Sequence, residues 1–301
     1  MLSFSPLTVN NKAIIQPFLL NSGRRSCDVS FSNLCSWQFL YHTEFALQDD
    51  QLFIRYLIDN KHFFMMPLGS GALYGTLQTL LAEAHAFGDY LRLQGLDLAS
   101  KEAVEAEMPN QFAWRAKREY ADYLYLREDL VTLSGKKFQP KRNHINQFLR
   151  LFPQYEYVIF TPDVARECLT LDWLWARISL LHTDSATLEA ERQSLTFALT
   201  HFDQLDLLGG ALRVNGNIVA FTIGTPINTT VFDICVEKAD TAVMGAYAMI
   251  NHEFARRLPE TVIYINREED LGIEGLRKAK MSYHPIELLD KYTGKYLLSA
   301  L

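Results

Sequence analysis

Residues 210–237 read GALRVNGNIVAFTIGTPINTTVFDICVE, and that run sets the fold class. Asn215-Gly216 stands between two apolar arms, Gly210 to Val214 and Asn217 to Gly224. The pair predicts a β-hairpin, because a tight hairpin turn wants φ > 0 at both central positions and Asn and Gly tolerate it. A third strand is predicted from Thr229 to Glu237. Side chains alternate across a strand, so Phe232, Ile234 and Val236 are expected on one face and Asp233, Cys235 and Glu237 on the other. A helix from Met244 to Leu258 follows, then an apolar strand Thr261 to Ile265, the charged loop Asn266-Arg267-Glu268-Glu269-Asp270 and a short helix Gly275 to Ser282. Three strands, a helix, a strand and a helix make a mixed, mainly antiparallel α/β (α+β) unit.

Upstream the same grammar recurs. A helix is predicted from Pro140 to Phe152, a strand from Glu156 to Phe160, and helices from Pro162 to Leu181 and Thr187 to Leu205. Earlier still, Leu52 to Ile58 and His62 to Met66 flank the polar turn Asp59-Asn60-Lys61 and read as a hairpin. Leu73, Leu77, Leu80, Leu81 and Ala84 recur at helical spacing up to Gly88. Tyr90 to Leu96 and Tyr120 to Arg127 read as strands, and Ser100 as the N-cap of a helix running to Met108. The first fifty residues read as mostly helical, at Lys12 to Leu20 and Phe31 to His42. With 301 residues, about twice a typical domain, the chain is expected to form two units, 1–133 and 134–301.

Composition bounds the function. The chain is 49% apolar with few Gly and Pro, which excludes disorder and collagen-like repeats. No run of about 18 apolar residues occurs and the N-terminus lacks a secretory pattern, so a cytoplasmic protein without a transmembrane segment is expected. The net charge of −6 argues against generic nucleic-acid binding, DNA included. Cys27, Cys35, Cys168 and Cys235 are scattered, without zinc-ligand or disulfide spacing, and read as reduced thiols. There is no nucleophile elbow and no Walker loop; His252-Glu253 lacks the second histidine of a zinc-protease helix, and Gly69-x-Gly71-x-x-x-Gly75 misses the dinucleotide spacing. From Val131 to Tyr155 every charged side chain is basic: Lys136, Lys137, Lys141, Arg142 and Arg150. Arg277, Lys278 and Lys280 form a second basic group. Either is a candidate phosphate site or a solvated face.

Two blocks carry a resemblance. Asp122-Tyr123-Leu124-Tyr125-Leu126-Arg127 through Ser134-Gly135-Lys136-Lys137-Phe138 to Asn143, and Asn266-Arg267-Glu268-Glu269-Asp270-Leu271-Gly272 through Gly275 to Pro285, resemble a bacterial family related to the C-terminal domain of phosphatidylglycerol lysyltransferase. The resemblance implies two GNAT-like (acyl-CoA N-acyltransferase-like) domains in tandem, the first degenerate and the second ligand-binding. Lysyltransferase relatives move an aminoacyl group from charged tRNA to a lipid; GNAT enzymes move an acyl group from coenzyme A to an amine. The donor is therefore expected to be acyl-CoA or aminoacyl-tRNA, and the acceptor an amine or hydroxyl. A non-catalytic ligand- or protein-binding module is the competing reading.

The GNAT coenzyme A loop has its counterpart in Thr241-Ala242-Val243-Met244-Gly245-Ala246-Tyr247, where one glycine remains and Tyr247 narrows the approach. Gly245, Ala246 and Tyr247, with Lys141, Arg142, Arg267, Lys278 and Lys280, are the candidate donor-binding residues. Amine transfer needs a base and an acid within hydrogen-bond reach. Asp233 and Glu237 are the candidate bases and Tyr283 the candidate acid, set against solvated carboxylates and a packing ring. No metal ligands are expected.

Overall fold

The computed structural model describes residues 1–179 and 185–297. Leu180 and Leu181, at the end of the predicted Pro162 helix, lie outside the described residues; that helix is seen as Pro162–Ser179. Two mixed sheets form. The first runs, in spatial order, Ser5–Pro6, Glu44–Gln48, Gln51–Ile58, Lys61–Met65, Arg92–Leu96, Tyr292–Tyr296, Phe112–Ala116. The second runs Glu287–Leu289, Asp122–Leu126, Tyr264–Asn266, Val231–Ala239, Asn217–Pro226, Leu208–Val214, Glu156–Ile159.

Each sheet has one parallel pair on its main path. In the first, Lys61–Met65 lies parallel to Arg92–Leu96, with the helix Leu73–Ala86 between them in the chain. In the second, Val231–Ala239 lies parallel to Tyr264–Asn266, with the helix Ala246–Arg257 between. Hairpin, helix and parallel return strand thus occur twice.

The chain crosses between the two units. Asp122–Leu126 pairs with Tyr264–Asn266 in the second sheet, and Tyr292–Tyr296 pairs with Arg92–Leu96 in the first. A cut after residue 133 separates both strands from their sheets. One buried cluster also joins the units: Leu7, Ile15, Phe31 and Ile54 pack in the same core as Phe160, Ile218, Phe221 and Ile223. Burial of that surface at about 25 cal/mol per Å² ties the sheets together.

The predicted hairpins form, at Gln51–Ile58 with Lys61–Met65 and at Leu208–Val214 with Asn217–Pro226. Asn215 and Gly216 have φ of 49° and 82°, as the turn requires. The first fifty residues hold a strand, Glu44–Gln48, beside the helices Lys12–Leu20 and Phe31–Ser36. The helix expected from Ser100 begins earlier, as Leu98–Glu107; its cap is Asp97, whose side chain accepts from the Ser100 N–H. Asp97 satisfies the otherwise open amide of the helix's third residue, leaving Ser100 inside the first turn.

Candidate functional site

The parallel strands Val231–Ala239 and Tyr264–Asn266 pair only from Val231 to Asp233. Beyond Asn266 the chain turns to Asp122–Leu126, the Arg267 N–H donating to the Tyr123 carbonyl at 3.0 Å. The gap so created is spanned by side chains. Arg267 Nη2 lies 2.8 Å from Glu237 Oε1, with side chains 11% and 10% exposed. Asn251, on the helix Ala246–Arg257, donates from Nδ2 to Glu237 Oε2 at 3.0 Å.

Aromatic rings floor this pair. The Arg267 guanidinium stands 4.7 Å over the Tyr283 ring and 5.6 Å over the Tyr125 ring. Lys141, from the helix Gln139–Leu151, places Nζ 3.7 Å over the Tyr283 ring. Burial, and then the Arg267 charge, lower the pKa of the Lys141 ammonium to about 8, so roughly a tenth of it is neutral at pH 7. Burial pushes the Tyr283 phenol well above its usual range, so it keeps its proton. Tyr247 is half exposed in the first turn of its helix and meets the backbone of Ala239 beside Glu237.

Among the described residues, two buried polar atoms in this site have no hydrogen-bond partner, Arg267 Nη1 and Asn251 Oδ1. One is a donor and the other an acceptor, and they belong to the two side chains whose Nη2 and Nδ2 hold the Glu237 carboxylate. Leaving such groups unpaired in a closed site costs about 1–3 kcal/mol each, so the arrangement is suited to a ligand carrying a carbonyl or anionic oxygen and an N–H group.

Asp233 does not share this site. Thr225 pairs with Asp233 but Ile223 with Val236, so the register takes three steps on one strand against two on the other. An extra residue inverts the alternation beyond it. Val236 accordingly joins Val231 in the shared core, while Phe232 and Ile234 pack with Tyr125, Phe254 and Tyr283. Glu237 falls on the helix face, and Asp233 points to the opposite side.

The basic groups are largely committed elsewhere. Arg142 donates to the carbonyls of Leu133 and Gly135 and to Gln139, tying the preceding loop. Lys280 is buried and donates to the carbonyls of Arg267, at 2.5 Å, and Glu269, holding the charged loop in place. Lys278 is exposed on the helix Glu274–Met281. Arg277 forms a two-bond fork to Asp270 at 2.9 and 3.0 Å, and Arg118 and Tyr123 reach the same carboxylate. Of the two basic clusters, Lys141 is the member whose ammonium shares the Tyr283 ring with the Arg267 guanidinium.

The loop before the helix engages several of its own amides. Anions are held at helix starts by free amides, but here the Ala242 N–H goes to Asp240 Oδ1 at 2.8 Å, the Val243 N–H to the Asp240 carbonyl at 3.0 Å and the Ala246 N–H to the Val243 carbonyl at 3.1 Å. Asp240 adds a negative charge. Gly245 has a packing reason: its φ is +84°, and a Cβ there would lie 2.3 Å from the His144 carbonyl oxygen. It lets the helices Ala246–Arg257 and Gln139–Leu151 approach closely.

Sequence reasoning missed Asn251 and Tyr125, which nothing in their local pattern sets apart. It also missed the acidic assembly on the other side of the strand, in which Lys291 pairs with Asp28, Asp122 and Glu269 while Asn33 bridges Asp233 and Glu268. The charged quartet after an apolar strand was its signal: Arg267 turns to Glu237, Glu268 and Glu269 turn to the acidic assembly, and Asp270 binds Arg118 and Arg277. Glu268 takes φ +54°, with its N–H held by Asn266 Oδ1 at 2.7 Å. No helix among the described residues is long and apolar enough to cross a membrane.

A crystal structure of a conserved protein of unknown function from Bacteroides thetaiotaomicron VPI-5482 is 49% identical, covers 99% of this chain and 100% of that one, and superposes with a TM-score of 0.96. L-PGS from Bacillus licheniformis shares the fold at 15% identity, with a TM-score of 0.64 over 95% of this chain and 92% of that one. A tandem GNAT protein from the clavulanic acid biosynthesis pathway shares it at 13% identity and a TM-score of 0.51, covering 99% of this chain and 100% of that one. The two sheets are thus GNAT-like units in tandem. Protein MYCGA3080 of Mycoplasmoides gallisepticum is 23% identical over 188 residues, 58% of this chain, and the match spans 56% of that relative's length. The chain belongs to the family described as phosphatidylglycerol lysyltransferase, C-terminal, whose model matches residues 21–294.

Proposed function

We propose that this chain transfers an aminoacyl group from charged tRNA to an amine or hydroxyl acceptor at the Glu237–Arg267 site. The observation that carries the reading is the pair of unmatched buried atoms, Arg267 Nη1 and Asn251 Oδ1, on the two side chains that hold the Glu237 carboxylate. An aminoacyl ester offers a carbonyl oxygen to the guanidinium and an α-ammonium to Asn251 and Glu237. Acyl-CoA is disfavoured as donor by the engaged amides and by Asp240 at the helix start. The family membership supports aminoacyl transfer as the general chemistry.

In the reaction, the acceptor N or O attacks the ester carbonyl carbon. Lys141, as the neutral amine, takes the acceptor's proton. The carbonyl oxygen gains charge against Arg267, a contribution worth on the order of 10²–10³ in rate when one such donor is lost. The C–O bond to the tRNA ribose then breaks, and the ribose oxygen leaves with the proton returned by Lys141. Tyr283 lies under both Lys141 and Arg267 and keeps its own proton.

The test is transfer from a pool of radiolabelled aminoacyl-tRNAs to phosphatidylglycerol vesicles and to small amine acceptors, alongside thermal unfolding with acetyl-CoA. Labelled product from tRNA, reduced at least a hundredfold in Arg267→Met and accompanied by no acetyl-CoA shift, is expected. A saturable shift with acetyl-CoA together with acetyl transfer would overturn the reading.

A further inference from the structure

Two clusters of potential metal ligands lie across the strand from Glu237: Cys27 with Asp122 and Glu269, and Asp233 with Cys235 and Glu268. In the first, the cation is already present. Lys291 Nζ lies 2.7 Å from Asp122 Oδ1 and 3.3 Å from Cys27 Sγ, and also binds Glu269 and, at 2.7 Å, Asp28. Among the described residues, no ammonium hydrogen-bonds to the second. Asn33 Nδ2 donates to Glu268 Oε1 at 3.0 Å and reaches Asp233 Oδ2 at 3.5 Å, its orientation fixed by a third bond to the Cys27 carbonyl at 3.2 Å. Lys280 directs its ammonium to the carbonyls of Arg267 and Glu269.

Asp233 is fully buried, and its Oδ1 has no hydrogen-bond partner among the described residues. Cys235 Sγ lies 3.7 Å from Asp233 Oδ2. The ligand atoms of Asp233, Cys235 and Glu268 all fall within 4.8 Å of one another. For a tetrahedral zinc ion with Zn–S of about 2.3 Å and Zn–O of about 2.1 Å, neighbouring S and O ligands stand about 3.6 Å apart, which the Cys235–Asp233 separation matches. Buried carboxylates need a cation or a proton. Lys291 pairs with Asp122, which is fully buried, and with Asp28 and Glu269, which are partly buried, whereas buried Asp233 and partly buried Glu268 have no ammonium partner among the described residues.

We propose that Asp233, Cys235 and Glu268 form a site for one divalent metal ion of zinc-like character, with a fourth position open to water or to a substrate oxygen. Asn33 orients the two carboxylates as an outer partner. A thiolate among the ligands selects zinc, or cobalt as its spectroscopic stand-in, over magnesium and calcium. The site stands apart from the Glu237–Arg267 chemistry and does not depend on it.

The purified protein, stripped with chelator, is titrated with cobalt(II). One equivalent should produce a thiolate-to-cobalt charge-transfer band in the near ultraviolet, zinc should displace it, and zinc alone should raise Tm by several degrees. Cys235→Ser should abolish the band while Cys27→Ser keeps it. Glu268→Gln, a change on a loop, should weaken cobalt binding at least tenfold without loss of fold by circular dichroism. A wild-type protein that gives no band overturns the proposal, as does a band that survives in Cys235→Ser. Stabilisation by lysine amide with no cobalt band also overturns it, since it would make the acids a pocket for an ammonium group.

Discussion

Lys291 Nζ lies 2.7 Å from Asp122 Oδ1, and both residues are buried. Asp122 begins the strand that the second sheet receives from the first half of the chain, and Lys291 immediately precedes the strand that the first sheet receives from the chain's far end. The ion pair therefore sits where the two crossover strands enter their sheets. Removing the ammonium leaves Asp122, Glu269 and Asp28 without their common partner, and breaking a buried pair from one side costs about 3–5 kcal/mol. Lys291→Met is expected to lose that much stability at pH 7 in urea unfolding.

The pH dependence of that loss has a fixed sign. Burial alone would raise the Asp122 carboxyl, but Lys291, Asn266 and the Cys27 N–H hold it below its ordinary value. In the wild type its contribution is present above the ordinary carboxylate range and is lost as pH falls through the depressed value. In Lys291→Met the carboxyl is buried and uncompensated, so protonation relieves it. The stability difference between the two proteins should narrow steadily from pH 7 to pH 4; a constant difference would show that Asp122 does not carry the effect.

Lys141 gives the opposite limb. Its ammonium falls from 10.5 to about 8 on folding, so between those values the unfolded chain binds more protons than the native one. Its contribution to stability therefore rises with pH across that window. Lys141→Met should flatten unfolding free energy between pH 8 and pH 10, measured against wild type. The transfer rate should climb through about pH 8 as the amine loses its proton, and Lys141→Arg should remove that limb.

Much of the fold was legible because its signals are local. Asn215-Gly216 between apolar arms defines a hairpin whatever surrounds it, and the helical spacing of Leu73, Leu77 and Leu80 survives any tertiary context. The crossover strands were not legible as such: Asp122–Leu126 reads as a strand, but nothing local says which sheet will accept it, and Tyr292–Tyr296 reads as no element at all. Glu237, Arg267, Lys141 and Tyr283 were named from sequence and meet in space. Asp233 was placed beside Glu237 by strict alternation, and one extra residue in the strand sent it to the other face. Bulges depend on the partner strand, which a single strand's pattern does not contain.

Gly245 tests the packing reading of the loop. Its φ of +84° and the 2.3 Å approach of an added Cβ to the His144 carbonyl leave no room for a side chain. Gly245→Ala should cost roughly 1–3 kcal/mol from backbone strain alone, with further loss as the helices Ala246–Arg257 and Gln139–Leu151 separate. Because Lys141 rides on the second of these helices, the same change should weaken transfer as well as stability. Equal stability of Gly245→Ala and wild type in denaturant would refute the close approach.

The Glu237–Arg267 pair can be separated into structure and function by a double-mutant cycle. Glu237→Leu strands a buried guanidinium and Arg267→Met strands a buried carboxylate, so each single change should cost about 3 kcal/mol. The double variant removes both charges and should recover most of that loss, because well-packed apolar replacements of buried ion pairs are often neutral. Stability is thus expected to return in the double variant while transfer does not, since the guanidinium that faces the developing oxyanion is gone. A double variant that regains both would assign the pair to packing alone, and one that regains neither would mean that Asn251 and Tyr283 need the pair to hold their places.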